Sequence, residues 1–262
     1  MVDKVILVVS FGTSYNNNRA LTIGAIEKDI TDKFPEYDVR RAFTSQMIIN
    51  KLKKRDNLEI DNVKEALERA VNDGIKTVIV QPTHVMDGTE YHFKIKDVVE
   101  IYEDKFDNIV IADPLLISDE DFEDLIINII SKADCDEDTA ICYMGHGSPA
   151  ESNHVYTTLQ SMLEEKGFNN FYIGTVEAKP DYDDVLAMVK EGDYKKIILK
   201  PLMVVAGDHA QNDMAGDEED SWKSMFTAEG YDVECVIEGL AQSEDIRNIY
   251  IKHIQSVIDD LI

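Results

Sequence analysis

Short apolar runs alternate along the chain with longer stretches in which apolar positions recur every three or four residues. The short runs are rich in β-branched residues and predict strands, whereas the longer stretches predict amphipathic helices such as 62–73, 119–132 and 154–166. Regular alternation of the two predicts an α/β fold in which crossover helices connect parallel strands. The predicted strands are 4–10, 38–43, 76–81, 108–112, 138–144, 170–176, 195–204 and 232–238.

The strand ends repeat in the two halves of the chain. Pro82 with Gly88, six residues apart, corresponds to Pro201 with Gly207. We therefore expect two similar Rossmann-like lobes, each a four-stranded parallel sheet flanked by helices, related by a pseudo-twofold axis. The predicted lobes are 1–118 and 119–242, and the alternative is a single sheet of eight strands. Three further matches keep the same order: 8–13 with 143–148, 41–45 with 173–177, and 113–119 with 238–244.

Charge and cysteine content narrow the functional class. The chain has 262 residues and a formal net charge of −26, which would repel nucleic acid and anionic membranes, so we expect neither as a partner. Cys135, Cys142 and Cys235 form no CxxC pair, and their odd number fits a reducing compartment. The apolar start reads as a first strand, and no run approaches the length of a membrane helix. We predict a cytoplasmic protein, and the sequence leaves its oligomeric state open.

Two histidines and a glutamate follow strands of the second half. His146 lies in a Gly-His-Gly-Ser turn, Glu177 follows the next strand, and His209 lies beyond the one after that. The carboxyl ends of parallel strands share one edge of a sheet, so we expect the three side chains to form an open divalent-metal site. The alternative for each histidine is a hydrogen-bonded residue at a strand end. The counterparts in the first half are Phe11, Ser45 and Glu90.

The first half offers candidate substrate contacts instead of metal ligands. A small-polar loop follows the first strand, and its backbone N–H groups suit a carboxylate or phosphate, although helix capping is the simpler role of its hydroxyls. The segment after the third strand carries His84. The glycines beside His146 are expected to let a substrate approach the backbone closely. The predicted substrate-binding residues are Ser10, Phe11, Gly12, Thr13, Ser14, His84, Met86 and Gly88.

Two segments stand out by charge. Residues 40–55 contain six basic residues and no acid, in a chain with twice as many acids as bases. They form either a solvated helix face or an anchor for a polycarboxylate ligand. Residues 217–220 are all acidic and form either a surface loop or a cation-attracting patch. The basic residues are Arg40, Arg41, Lys51, Lys53, Lys54 and Arg55.

These motifs together resemble the sirohydrochlorin cobaltochelatases of the CbiK type, within the class II chelatases that include ferrochelatase. The resemblance runs nearly end to end, and residues 206–214 with 221–223 are its most specific part. One departure lies at Glu177-Ala178-Lys179-Pro180, where members often carry Glu-Ser-Tyr-Pro. The segments that carry the resemblance are 8–15, 41–45, 144–147, 174–177, 205–210, 212–215 and 220–223.

The resemblance implies insertion of Co²⁺ into sirohydrochlorin on the way to cobalamin, in a tetrapyrrole cleft between two lobes. It implies that His146, Glu177 and His209 bind the metal, that His146 accepts a proton, and that a last helix, 243–262, packs back on the first lobe. No permanently bound cofactor is expected, because Co²⁺ is a substrate. Three alternatives stay open: a chelatase for Fe²⁺ or Ni²⁺, a non-catalytic metal or tetrapyrrole binder, and a zinc hydrolase, with Zn²⁺ also suited to this donor set.

Overall fold

The chain divides into two compact units. The computed structural model describes residues 3–131, 133 and 136–261. Unit 1 comprises Met1–Asp121 and Ala241–Ile262, and unit 2 comprises Phe122–Leu240. The sequence analysis placed the lobe boundaries after residues 118 and 242, and these stay predictions. Among the described residues, no helix is long and apolar enough to cross a membrane.

Unit 1 contains a parallel sheet with β1 (Lys4–Ser10) at its centre. The strand order is β3-β2-β1-β4-β5. The other strands are β2 (Asp38–Phe43), β3 (Asp61–Asn62), β4 (Thr77–Pro82) and β5 (Asn108–Ile111). The helices of this unit are α1 (Asn16–Leu21), α2 (Ile23–Lys33), α3 (Gln46–Asp56), α4 (Val63–Asn72), α5 (Thr89–Tyr91), α6 (Asp97–Glu100) and the first residues of α7 (Asp119–Ser131), which crosses the boundary.

Unit 2 contains a second parallel sheet, in the order β7-β6-β8-β9. Its strands are β6 (Thr139–Gly145), β7 (Phe171–Thr175), β8 (Lys196–Pro201) and β9 (Asp232–Cys235). Its helices after α7 are α8 (His154–Glu165), α9 (Tyr182–Val189) and α10 (Trp222–Ala228). The chain then returns to unit 1 with the last helix, α11 (Glu244–Asp260). Two separate parallel sheets confirm the predicted fold class over a single continuous sheet.

The prediction of four strands in each sheet was wrong for unit 1, which has five. The additional strand, β3, is only two residues long and pairs with Ala42 and Phe43 at the end of β2. A two-residue strand contains no apolar alternation for sequence analysis to detect. Its second residue, Asn62, is also the N-cap of α4, where it forms a capping box with Glu65.

The two sheets share one topology. In unit 1, β1 pairs with β2 and β4, and Val9 lies opposite Pro82. In unit 2, β6 pairs with β7 and β8 in the same manner, and Met144 lies opposite Pro201. A π-helical turn lies in the segment after β4 in unit 1, at His92–Lys96, and in the segment after β8 in unit 2, at Ala210–Met214. The register therefore supports the internal repeat inferred from the strand ends.

Helices cover the sheets, and the central strands are continuous apolar runs, as expected when both faces are buried. Residues 5–9 and 140–144 are all buried. Cys142 lies in this second run as a free thiol, and burial raises its pKa. Cys235 is a second free thiol, whereas Cys135 lies outside the described residues. The buried core of each unit fixes the positions of the strands, and the polar candidate site residues lie at the carboxyl ends of these strands.

The last helix packs against α2 and β4 of unit 1. Arg247 forms an ion pair with Asp29 at 2.5 Å and donates further hydrogen bonds to the carbonyl groups of Ala241 and Gln242. The side chains of Arg247 and Asp29 are only 13% and 26% exposed, so solvent screens this pair less than a surface pair. The contact attaches the end of the chain to the first unit.

His253 attaches the same helix at a second point. Its Nε2 lies 2.9 Å from Oδ1 of Asp121, and its Nδ1 lies 3.2 Å from the Asp113 carbonyl oxygen. Burial alone would raise the pKa of Asp121, but hydrogen bonds from His253 and Ser118 outweigh it and hold the pKa below its usual value.

We expect Arg247→Ala to lower the stability of unit 1 by about 2 kcal/mol, because it leaves Asp29 and two carbonyl groups without their partner. Lys252→Ala is the matched control. Its ion pair with Glu120 is 53% and 75% exposed, so we expect a change below about 0.5 kcal/mol. Urea unfolding followed by circular dichroism measures both variants. Equal midpoints for the two would contradict a role for Arg247 in anchoring α11.

Candidate metal centre

Two histidines and a glutamate meet at the carboxyl edge of the unit 2 sheet. His146 directly follows β6, Glu177 follows β7 by two residues, and His209 follows β8 by eight. Their donor atoms lie within 4.8 Å of one another. Nε2 of His146 is 3.9 Å and Nε2 of His209 is 4.0 Å from the same carboxylate oxygen, Oε1 of Glu177. The structure thus brings together the three residues that the sequence selected.

Backbone hydrogen bonds hold the first two of these residues side by side. Beyond the paired residues of β6 and β7, the amide of Val176 donates to the carbonyl of Gly145 at 3.0 Å, and the amide of Glu177 donates to the carbonyl of His146 at 2.9 Å. The backbone hydrogen bonds between β6 and β7 therefore continue into the two loops that follow these strands. As a result, the relative position of His146 and Glu177 is fixed by the backbone as well as by the side chains.

The glycines beside His146 have a different role from the predicted one. Both are buried, so they do not give a substrate access to the backbone. A Cβ at Gly145 would lie 2.3 Å from Cε1 of Tyr156, so the ring of Tyr156 occupies that space. Gly147 has φ of +86°, and a Cβ there would lie 2.8 Å from the backbone nitrogen of Ala178. Both glycines therefore permit close packing behind the site.

The donor set is accessible and loosely spaced. The side chains of His146, Glu177 and His209 are 46%, 56% and 34% exposed. The two imidazole rings lie edge to face, with their centroids 4.8 Å apart. Ligand atoms in a tetrahedral site with bonds of about 2.1 Å lie about 3.4 Å apart, so the observed spacing requires only small side-chain movements to bind an ion. Three protein ligands leave further coordination positions open.

Each histidine hydrogen-bonds through Nδ1 and points Nε2 toward Glu177. Nδ1 of His146 lies 2.8 Å from the carbonyl oxygen of Gly147, and Nδ1 of His209 lies 2.7 Å from Oδ2 of Asp213. The sequence analysis quoted Asp213 only as part of the resemblance. An acid four residues after a histidine, on one face of a helical turn, is the sequence signal that would have identified it.

The predicted substrate loop of unit 1 has mostly buried side chains. Ser10, Thr13 and Ser14 are buried, and the Ser10 hydroxyl accepts a hydrogen bond from Thr83. The carbonyl groups of Thr13 and Ser14 accept hydrogen bonds from Arg19 and Arg55. Phe11 is the member of the loop with a largely exposed side chain, and Gly12 has φ of +98°. Phe11 is therefore the residue of this loop whose side chain is accessible for a contact.

The second predicted substrate segment carries a histidine with a buried ring. Both ring nitrogens of His84 are buried and have no hydrogen-bond partner among the described residues. Burial lowers the pKa of His84 to about 4, so the ring is neutral near pH 7. Met86 and Gly88, which follow His84 in the same segment, are also buried. At the positions equivalent to His146, Glu177 and His209, unit 1 carries Phe11, Ser45 and Glu90, so these positions offer no imidazole.

The basic segment is largely neutralised by acids elsewhere in unit 1. Arg40 pairs with Asp38 and Asp73, Arg41 with Glu27, Lys53 with Glu59, and Arg55 with Asp56. Lys51 and Lys54 are exposed on α3 and have no partner among the described residues. Within the basic segment, only these two lysines therefore stay candidates for binding the carboxylates of a ligand.

The acidic residues 217–220 are all exposed, and Asp217 pairs with Lys223 at 2.7 Å, as in a surface loop.

A family of cobalt chelatases has the same sequence pattern over almost the whole chain. The family model described as cobalt chelatase (CbiK) matches residues 4–259. The chain belongs to the cobalt chelatase (CbiK) family. The match includes both units and all three residues of the candidate centre, and it agrees with the resemblance inferred from the motifs.

Individual relatives agree with this assignment. The chain is 35% identical over 259 residues to the sirohydrochlorin cobaltochelatase of Salmonella typhimurium, covering 98% of this chain and 97% of the relative. It is 30% identical over 266 residues to sirohydrochlorin cobaltochelatase CbiKC of Nitratidesulfovibrio vulgaris, covering 100% and 93%. The solved structure of SirB from Bacillus subtilis with Fe³⁺ has a TM-score of 0.67 at 14% identity, covering 97% and 95%, and supports the fold alone.

We expect Gly147→Ala to destabilise the protein and to weaken Co²⁺ binding, because the new Cβ displaces Ala178 and with it the Glu177 loop. Gly167→Ala is the matched control, since Gly167 has φ of +83° and nothing within 4 Å of its Cβ position. Both variants incur about 1–2 kcal/mol for a left-handed alanine. Thermal unfolding and Co²⁺ titration measure the difference. Equal Co²⁺ affinities would show that packing at Gly147 does not position the site.

Proposed function

We propose that this chain inserts Co²⁺ into sirohydrochlorin, with His146, Glu177 and His209 as ligands of the incoming metal. The observation that carries the proposal is the convergence of two Nε2 atoms on one carboxylate oxygen, in a chain of the cobalt chelatase (CbiK) family. The substrate and the metal are those in the names of the two relatives. The proposal requires no permanently bound cofactor, because the metal is consumed as a substrate.

The chemistry requires a ligand set that both binds and releases the ion. Neutral imidazole and carboxylate suit first-row divalent ions such as Co²⁺. The three side chains are partly exposed, and the two Nε2 atoms lie 3.9 and 4.0 Å from Oε1 of Glu177, which suits a transient complex better than a closed structural site. Open coordination positions allow the nitrogen atoms of the macrocycle to replace water and then the protein ligands.

Metallation also releases two protons from the pyrrole nitrogens. A neutral histidine beside the reacting nitrogens can accept one of them through a free lone pair. Nδ1 of His146 is engaged with the carbonyl oxygen of Gly147, which can only accept, so Nδ1 carries the ring proton and Nε2 holds the lone pair. His146 is therefore the proposed proton acceptor. The charge formed on the ring is stabilised by Glu177.

The remaining substrate contacts are proposed in unit 1. Phe11 offers an exposed aromatic surface to a flat macrocycle, and the neighbouring backbone amides suit its carboxylates. His84, whose buried ring nitrogens have no partner among the described residues, stays a predicted contact of the same substrate. Lys51 and Lys54 add positive charge for the carboxylates of sirohydrochlorin. Ser10, Gly12, Thr13, Ser14, Met86 and Gly88 stay predicted members of these segments.

We expect His146→Ala to reduce Co²⁺ insertion by about 10²–10⁴-fold, because it removes a metal ligand and the proton acceptor together. His209→Ala should respond partly to excess Co²⁺, and Glu177→Gln should lie between the two variants. Anaerobic mixing with sirohydrochlorin and Co²⁺, followed by the visible spectrum, measures the rate. His154→Ala is the control, because this histidine is exposed in the same unit and hydrogen-bonds to Glu151. Near-normal turnover by His146→Ala would refute its proposed role.

The two free lysines of α3 allow a test of carboxylate binding. Replacing Lys51 and Lys54 with alanine should raise KM for sirohydrochlorin about two- to five-fold at low salt and flatten its salt dependence, because exposed charges contribute modestly and are screened. The control replaces Lys53 and Lys64, which pair with Glu59 and Glu68. If KM at low salt is unchanged, or rises equally in the control, the two lysines belong to a solvated helix face.

A further inference from the structure

A carboxylate lies behind one of the two histidines of the metal centre. Oδ2 of Asp213 is 2.7 Å from Nδ1 of His209, on the side of the ring opposite the Nε2 atom that points toward Glu177. A carboxylate only accepts hydrogen bonds, so Nδ1 of His209 carries the ring proton in this contact. The lone pair of the neutral ring is then on Nε2, the atom that faces the metal position.

The helical turn that carries Asp213 is itself anchored. His209 and Asp213 are four residues apart, which brings their side chains together across the π-helical turn Ala210–Met214. Ala210 and Met214 are fully buried in the unit 2 core, on either side of the turn. The packing of these two residues fixes the backbone, and the exposed face of the turn presents the carboxylate to the imidazole.

We propose that Asp213 is a positioning residue that sets the tautomer and orientation of His209 and thereby strengthens metal binding. The proposal rests on the proposed metal role of His209. An imidazole without such a partner carries its proton on either nitrogen, and a ring with the proton on Nε2 cannot bind a metal through Nε2 until it moves that proton. A carboxylate behind a ligating histidine also makes the ring a better electron donor.

The two histidines of the site therefore differ in the hydrogen-bond acceptor that holds Nδ1. His146 hydrogen-bonds to the neutral carbonyl group of Gly147, whereas His209 hydrogen-bonds to a charged carboxylate. Charge-assisted hydrogen bonds are the stronger of the two kinds. His209 is accordingly the ligand that retains the ion, and His146 is the one that releases it and takes up a proton from the macrocycle.

The test measures the tautomer and the metal affinity separately, without sirohydrochlorin. Long-range ¹H–¹⁵N spectra of the metal-free protein at about pH 8, above the ordinary pKa of histidine, distinguish Nδ1–H from Nε2–H rings. The His209 signals are identified by their absence in His209→Gln. We expect an Nδ1–H ring in the wild type and a mixture of tautomers in Asp213→Ala. Calorimetric titration should show a loss of Co²⁺ affinity of about 10- to 100-fold.

Two further variants separate positioning from charge. Asp213→Asn keeps an oxygen that can accept the Nδ1 proton, so it should retain the tautomer and an intermediate affinity. Glu219→Ala removes one charge from the same exposed acidic region without a side-chain contact to His209, so it should match the wild type in both measurements. Asp213→Asn also preserves the test if Asp213→Ala fails to fold.

The outcomes are distinguishable. An Nε2–H ring in the wild type, or an unchanged tautomer in Asp213→Ala, overturns the proposal even if affinity falls. An equal loss of affinity in Glu219→Ala also overturns it, because the effect is then one of net charge. Failure of the wild type to bind Co²⁺ would instead contradict the proposed function of the centre, whereas the tautomer of His209 would still test the role of Asp213.

Discussion

The hydrogen bond from the Glu177 amide to the His146 carbonyl is the contact on which the candidate centre depends. It extends the β6–β7 ladder beyond the strands, so the backbone that orients these two ligands is continuous with a buried sheet. Gly147 makes this approach sterically feasible, because any larger residue would meet Ala178. A rigid support of this kind allows the side chains themselves to stay exposed and exchangeable, which an ion-delivering site requires.

The two units show how one scaffold supports different loops. In unit 1, α3 begins three residues after β2, and Ser45 is used as its N-cap. In unit 2, α9 begins seven residues after β7, and Asp181 provides the capping box. The longer connection releases the residue equivalent to Ser45, which is Glu177, from capping. The difference in loop length, together with the change from serine to glutamate, therefore leaves this position free for the proposed metal ligand in unit 2.

Ligand support differs between the two histidines, and this difference suits a chelatase. A site that held Co²⁺ through two equally strong imidazoles would release it slowly to a macrocycle. In the proposed site, pairing His209 with Asp213 and His146 with a neutral carbonyl group gives one strong and one weak ligand beside the same carboxylate oxygen of Glu177. In the proposed mechanism, the weaker ligand exchanges the metal for a proton while the stronger one keeps the ion in place, so that binding and delivery are divided between the two histidines.

The sequence by itself determined the order of the strands along the chain, the duplicated topology and the identity of His146, Glu177 and His209, because these follow from local apolar runs and from the shared edge of a parallel sheet. Tertiary structure decided the rest. The two-residue strand β3, the neutralisation of Arg40 and Arg41, and the packing role of Gly145 and Gly147 depend on contacts between distant segments. The periodicity of apolar residues shows which face of a helix or strand is buried, but it does not show which side chain of a distant segment packs against that face.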